Sequence, residues 1–156
     1  MDNLTLEQRS AQMAKVRSKD TKPEMFVRGL VHGMGYRYRL HGKNLPGKPD
    51  LVFSSRRKII FVNGCFWHGH SCQLGRIPKS RVEFWTDKIL SNRSRDAVNI
   101  ERLEHLGWKS LVLWECQLRG EDRIAGRIRR FLGVTNGSGS ALRKPVARRR
   151  RVPSAA

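Results

Sequence analysis

Three things are scarce in this 156-residue chain, and each scarcity removes a class of protein. There are only three cysteines, an odd number too small for a disulfide framework, so the thiols are expected to stay reduced and free to bind metal. Acidic residues are few: 13 Asp and Glu stand against 32 Lys and Arg, a formal charge of +19. That imbalance favours a polyanionic partner, nucleic acid foremost. Long apolar runs are missing too, and residues 1–7 lack an apolar signal core. A soluble cytoplasmic protein without membrane association is expected, of a length that suits one domain with a single core.

The excess charge is not confined to one end. Arg143, Lys144 and the run Arg148-Arg149-Arg150-Arg151 lie among Ala, Pro and Ser, so residues 135–156 are expected to form a disordered basic tail. The body remains basic without it, through Arg28, Arg37, Arg39, Lys43, Lys48, Arg56, Arg57 and Lys58 among others.

The punctuation of the chain divides it further. Residues 4–17 look helical but offer little apolar surface (Leu4, Leu6, Met13, Val16), so residues 1–20 are expected to be an arm that orders on a partner. The body is expected to span residues 21–134. Thr21-Lys22-Pro23-Glu24 reads as a capping box that opens a helix with Val27, Leu30, Val31 and Met34 on its buried face. Residues 36–40 alternate aromatic with basic, as a half-exposed strand does. Residues 51–53 and 58–62 read as a hairpin of central strands. A second helix is expected over residues 80–106, with Trp85, Ile89, Ile100, Leu103 and Leu106 as core candidates and an irregularity near residues 91–94. Residues 108–114 read as a buried strand and 122–132 as a last helix. The order implies an α/β fold with a mixed central sheet flanked by helices.

The chemistry is concentrated in Asn63-Gly64-Cys65-Phe66-Trp67-His68-Gly69-His70-Ser71-Cys72. Cys65, His70 and Cys72 have the ligand types and short spacing of a zinc site, and Cys116 is the candidate fourth ligand. Four protein ligands leave no position for water, so such a zinc is structural. His68, Phe66 and Trp67 are then left without a structural role. On spacing alone, His68 is either a partly buried histidine or a catalytic one. Trp85 is either core or a contact residue. Asp50, in Pro49-Asp50 before a strand, is either a turn residue or a metal ligand.

Leu45-Pro46-Gly47-Lys48-Pro49-Asp50, Asn63-Gly64-Cys65-Phe66-Trp67-His68, Glu83-Phe84-Trp85 and Trp114-Glu115-Cys116 resemble, in order and spacing, the signature blocks of the very short patch repair endonucleases. The resemblance implies a variant of the PD-(D/E)XK nuclease core with an added zinc site. It implies an enzyme that nicks one strand 5′ to the thymine of a T·G mismatch left by deamination of 5-methylcytosine. Carried onto this chain, the metal-binding aspartate is Asp50 and the second ligand is the Val62 backbone carbonyl, holding Mg²⁺, with a second ion sharing Asp50. His68 matches the general base, Asp96 the carboxylate that orients it, and Glu24 an acidic residue near the metal. Asn63 departs from the pattern, since a histidine often stands there, and an amide cannot exchange a proton near neutral pH. Phe66, Trp67 and Trp85 match residues that wedge into the base stack, and Met13 and Val16 would enter from the other groove. The implied partner is double-stranded DNA carrying the mismatch, with mismatch-repair proteins as further partners and the enzyme acting as a monomer.

Overall fold

The computed structural model describes residues 5–16 and 18–135. Leu4 and the basic tail from residue 136 onward lie outside the described residues. Helix α1 (Leu6–Ala14) is capped reciprocally, with the Gln8 amide donating to Thr5 Oγ1 and the Thr5 amide to Gln8 Oε1. It buries none of its residues, as its thin apolar content implied. Helix α2 (Lys22–Gly33) starts at Thr21 with Pro23 in its first turn and buries Val27 and Val31 completely.

Four strands follow: β1 (Arg39–Leu40), β2 (Leu51–Phe53), β3 (Lys58–Asn63) and β4 (Lys109–Trp114). They form one sheet in the order β1-β2-β3-β4. The first two pairings are antiparallel, and β3 pairs with β4 in parallel, Ile60 opposite Leu111 and Asn63 opposite Trp114. The tight β2–β3 connection ends on Arg57 in the left-handed region, φ 54°. The parallel pair requires a crossover, supplied by α3 (Val82–His105); α4 (Glu121–Leu132) closes the described body.

The alternation of side chains along the strands sorts the core into two faces. Leu51, Phe53, Ile60, Val62 and Leu113 pack with Val27 and Val31 of α2 and with Ile124, Ile128 and Leu132 of α4. Val52 and Ile59 face the other way, against Leu103 of α3 and Trp108. The result is a mixed sheet between helical layers, as the order of elements implied.

Four expectations change. Helix α3 runs unbroken through residues 91–94, because Asn92 keeps helical backbone and sends its side-chain amide to the Trp67 carbonyl, 2.9 Å away. Leu106 is 53% exposed, since it caps the helix beyond the last turn that faces the sheet. Of residues 36–40 only Arg39 and Leu40 join the ladder. The phenols of Tyr36 and Tyr38 instead reach out to the Gly133 and Arg28 carbonyls. The capping box at Thr21 is half formed: Thr21 Oγ1 accepts from the Glu24 amide, but the Glu24 carboxylate serves Asp20 and Arg28.

Several cations work inside the fold. Arg56 donates to the Leu132 and Val134 carbonyls, each at 2.8 Å, and lies over the Tyr36 ring. Lys58 donates to the Phe131 carbonyl at 2.6 Å, and Arg57 to that of Leu106 while stacking on Trp108. Each sits at a helix C-terminus, where unpaired carbonyls and the dipole favour positive charge. Arg56→Ala should therefore lower stability by about 1–2 kcal/mol; an unchanged midpoint in urea denaturation would contradict this placement.

Candidate active site and cysteine–histidine cluster

The site is built at the end of β3. Asp50 precedes β2 in the antiparallel pair, so its backbone amide donates to the Ile60 carbonyl at 3.1 Å. Its Oδ2 accepts the Val62 amide at 2.7 Å, which fixes the carboxylate beside the strand. Asp50, Val62, Asn63, His68 and Asp96 all line one pocket of about 590 Å³. Lys19, Lys43 and Lys48 line it as well, so it combines carboxylates with positive charge.

The chain leaves β3 through Asn63 and coils back tightly. The amides of His68, Gly69 and His70 donate to the carbonyls of Gly64, Phe66 and Cys65 in turn. Gly69 has φ +63°, and a Cβ there would fall 2.5 Å from Ile89 on α3, so the loop lies hard against that helix. The same helix supplies Asp96, whose Oδ2 is 2.6 Å from His68 Nδ1. With Nδ1–H donated to the carboxylate, Nε2 is the free, basic nitrogen. The pair is about one-third exposed on each side, which suits a group that must meet a substrate.

Asp50 is the perturbed acid of the pocket. Burial pushes its carboxyl up from 3.8 to about 6, and the neighbouring Glu24 charge adds to this, while the Val62 amide, His41 and Arg28 pull it back down. A half-buried, backbone-held carboxylate with a raised pKa is a group that a cation would relieve. The oxygen donors here, a carboxylate and a strand carbonyl, suit a hard ion such as Mg²⁺ rather than a soft one. Glu24 is buried behind the wall of this pocket rather than on it.

The second donor set is separate. One ligand atom from each of Cys65, His70, Cys72 and Cys116 lies within 4.8 Å of every other. A tetrahedral ion with bonds of about 2.0–2.3 Å places its ligand atoms about 3.3–3.8 Å apart, so the four donors lie close enough together to fit one zinc ion. None is in a disulfide. Burial pushes the Cys65 thiol up to about 12 and raises that of Cys116, whereas His70 draws Cys72 down to about 6. The bare cluster thus favours a single thiolate, on Cys72. The Cys116 amide points at Cys65 Sγ, 3.4 Å away, and the His70 ring stacks on Trp114 at 4.4 Å. A Cβ on Gly75 would sit 1.9 Å from the His70 carbonyl, so the turn tolerates only glycine there.

Phe66, Trp67 and Trp85 form one edge-to-face group, with centroids 5.0–6.1 Å apart, which Phe84 extends. All three are partly buried, while Met13 and Val16 on and after α1 are exposed. The sequence missed Asp20, Arg28 and His41, which gather around Glu24. One signal was available: Glu24 and Arg28 share the buried stripe of α2 with Val27 and Val31, at spacing i, i+3, i+4, i+7. A charged pair on a core stripe calls for a partner.

A half-buried acid, an Asp–His pair and a lysine-lined cleft on a basic α/β scaffold are the groups that hydrolysis of an anionic substrate can use. Residues 1–74 match the family model described as DNA mismatch endonuclease Vsr. The chain is 50% identical over 131 residues to the type II nicking enzyme V.XorIIP of Xanthomonas oryzae, covering 84% of this chain and 96% of that protein. It is 44% identical to the type II nicking enzyme V.NmeAIP of Neisseria meningitidis, covering 84% and 94%. It is 43% identical over 116 residues to the DNA mismatch endonuclease Vsr of Escherichia coli, covering 74% of each. The chain belongs to the Vsr family of DNA mismatch endonucleases, the very short patch repair family.

The raised Asp50 acid has a consequence for stability. Its folded pKa lies above the unfolded value, so its contribution is complete below pH 3.8 and is lost as the pH rises through about 6. At pH 7.5, in chelator, Asp50→Asn should be more stable than the parent by roughly 1–2 kcal/mol. That difference should vanish near pH 4, and an asparagine variant that melts lower at pH 7.5 would refute it.

Proposed function

We propose that this chain nicks one DNA strand 5′ to the thymine of a T·G mismatch produced by deamination of 5-methylcytosine, by Mg²⁺-dependent phosphodiester hydrolysis, and so begins very short patch repair. The observation that carries this reading is the shared pocket of Asp50 and the His68–Asp96 pair. Membership of a mismatch-endonuclease family supports it. The scaffold is read as a variant of the PD-(D/E)XK core, with Asp50 at the start of β2 in place of its first acidic residue.

Asp50 and the Val62 carbonyl are the residues that would hold Mg²⁺. Bound there, Mg²⁺, read as two ions, would supply charge that polarises the phosphate and stabilises the leaving oxygen. His68 Nε2 takes the proton of the attacking water, and Asp96 keeps Nδ1 protonated and stabilises the imidazolium that forms. Water oxygen bonds to phosphorus as the P–O3′ bond breaks; the departing O3′ takes a proton from solvent, leaving a 3′-hydroxyl and a 5′-phosphate. Lys19, Lys43 and Lys48 draw the backbone into the cleft. Asn63 hydrogen-bonds at the rim of the reacting group, and Glu24 acts from behind Asp50.

Cys65, His70, Cys72 and Cys116 would hold one structural zinc, which would stiffen the loop that carries His68. Phe66, Trp67 and Trp85 wedge into the stack beside the mismatch, with Met13 and Val16 of the arm clasping from the opposite groove. Unstacking costs a few kcal/mol and is cheapest where pairing is already poor, which selects a mismatch. The enzyme acts as a monomer on cytoplasmic DNA, and mismatch-repair proteins are its natural further partners.

A duplex with one T·G pair should be nicked in Mg²⁺ and left intact in EDTA. Asp50→Ala and His68→Ala should retain duplex binding and lose at least 10²-fold in nicking rate. Normal nicking by either variant excludes the assignment, and a panel of mismatches in several contexts fixes the specificity. Metal analysis should find one zinc per chain. Its removal by a strong chelator should lower the melting temperature, whereas an unchanged melt would show that the cluster braces nothing.

A further inference from the structure

The root of the arm and the pocket are joined by a cluster of side chains outside the hydrolytic set. Arg28 is nearly buried, and its guanidinium donates to Asp20 Oδ1 at 2.7 Å through Nη1 and to Glu24 Oε2 at 3.1 Å through Nη2. The Asp20 amide donates to the same Glu24 oxygen at 3.0 Å, and Thr21 Oγ1 to Oε1 at 3.1 Å. His41 Nε2 lies 3.3 Å from Arg28 Nη2, and the His41 amide donates to the Asp50 carbonyl at 3.2 Å. The chain of contacts runs from the arm root, through Arg28, to the backbone of Asp50.

Asp20, Glu24 and His41 also bring one ligand atom each within 4.8 Å. The guanidinium already bridges both carboxylates, so Arg28 stands where a cation would otherwise be required. Two details show that stability alone does not select this arrangement. Arg28 Nε is buried without a hydrogen-bond partner, a cost to folding. Asp20 holds the left-handed region, φ 54°, which turns both its amide and its carboxylate into the cluster. The next residues toward the arm, Ser18 and Lys19, line the active pocket.

We propose that Arg28 is a positioning residue that latches Asp20, at the root of the arm, onto Glu24, so that the arm and the Asp50 side of the pocket are set as one unit. The inference rests on the nicking activity proposed above. The forked guanidinium is essential to it, because an ammonium is a point charge that does not hold two carboxylates in fixed geometry.

The test uses the full chain and a T·G duplex with Mg²⁺. Asp20→Asn removes the exposed half of the latch and leaves the core untouched; Arg28→Lys keeps the charge and removes the fork. Both should slow single-turnover nicking at saturating duplex by about tenfold, with the melting temperature of Asp20→Asn close to that of the parent. Combining Asp20→Asn with Met13→Ala should cost less than the product of the two separate losses, because the arm acts through the latch. In the free protein, exchange of the Asp20 amide proton should accelerate in Arg28→Lys. Parental nicking rates in both variants, multiplicative losses, or a rate loss accounted for by lowered stability would each overturn the latch. If the parent itself does not nick a T·G duplex, the proposed activity fails, and amide exchange alone decides the latch: acceleration upholds it and unchanged exchange overturns it.

Discussion

The parallel pairing of β3 with β4 is the constraint on which the site depends. Strands that run the same way end at the same edge of the sheet, so Asn63 lies opposite Trp114. The loop that leaves β3 therefore meets the turn that leaves β4, and Cys65 finds Cys116 although 50 residues separate them in the chain. A parallel pair also demands a long crossover on one face. Here that crossover is α3, which brings Asp96 to His68 and Asn92 to the Trp67 carbonyl. One topological choice thus provides both the cluster that ties down the loop and the carboxylate that orients its histidine.

On the other side of β3 the antiparallel partner does a complementary job. Register with β2 places Asp50 across from the end of β3, where the Val62 amide holds it. The carboxylate is kept where ionisation is unfavourable for the bare fold, a common cost of a functional site. The basic surplus has two uses as well. Arg56, Arg57 and Lys58 satisfy helix C-termini, whereas Lys19, Lys43 and Lys48 face the pocket. A net charge read from composition does not separate these roles; only the carbonyls within reach of each cation do.

How much was legible in the sequence follows the same division between local and distant. Local pattern was enough for the elements themselves, for the buried face of α2 and for three of the four cluster residues, because ligand type and spacing lie within eight positions. The partnership of His68 with Asp96 is 28 residues apart and came only with the family resemblance. The length of β1 was overestimated because two tyrosines bond to helices instead of a neighbouring strand. The Arg28 cluster was missed because Asp20 and His41 come from the arm root and the segment after β1; periodicity links only Glu24 and Arg28, on the stripe of α2. Glu24 was read as a capping residue and, through the resemblance, as an acidic residue near the metal; its carboxylate takes up the Asp20 amide, the Thr21 hydroxyl and the Arg28 guanidinium.

The central claim is that the fold presents His68 as a base, with Asp96 holding the opposite ring nitrogen. Nitrogen-detected NMR of His68 at neutral pH tests it most directly. The account predicts a proton on Nδ1, shared with Asp96, whose downfield signal disappears in Asp96→Asn. A ring protonated at Nε2 would contradict it, because the nitrogen needed by the attacking water would already carry its proton.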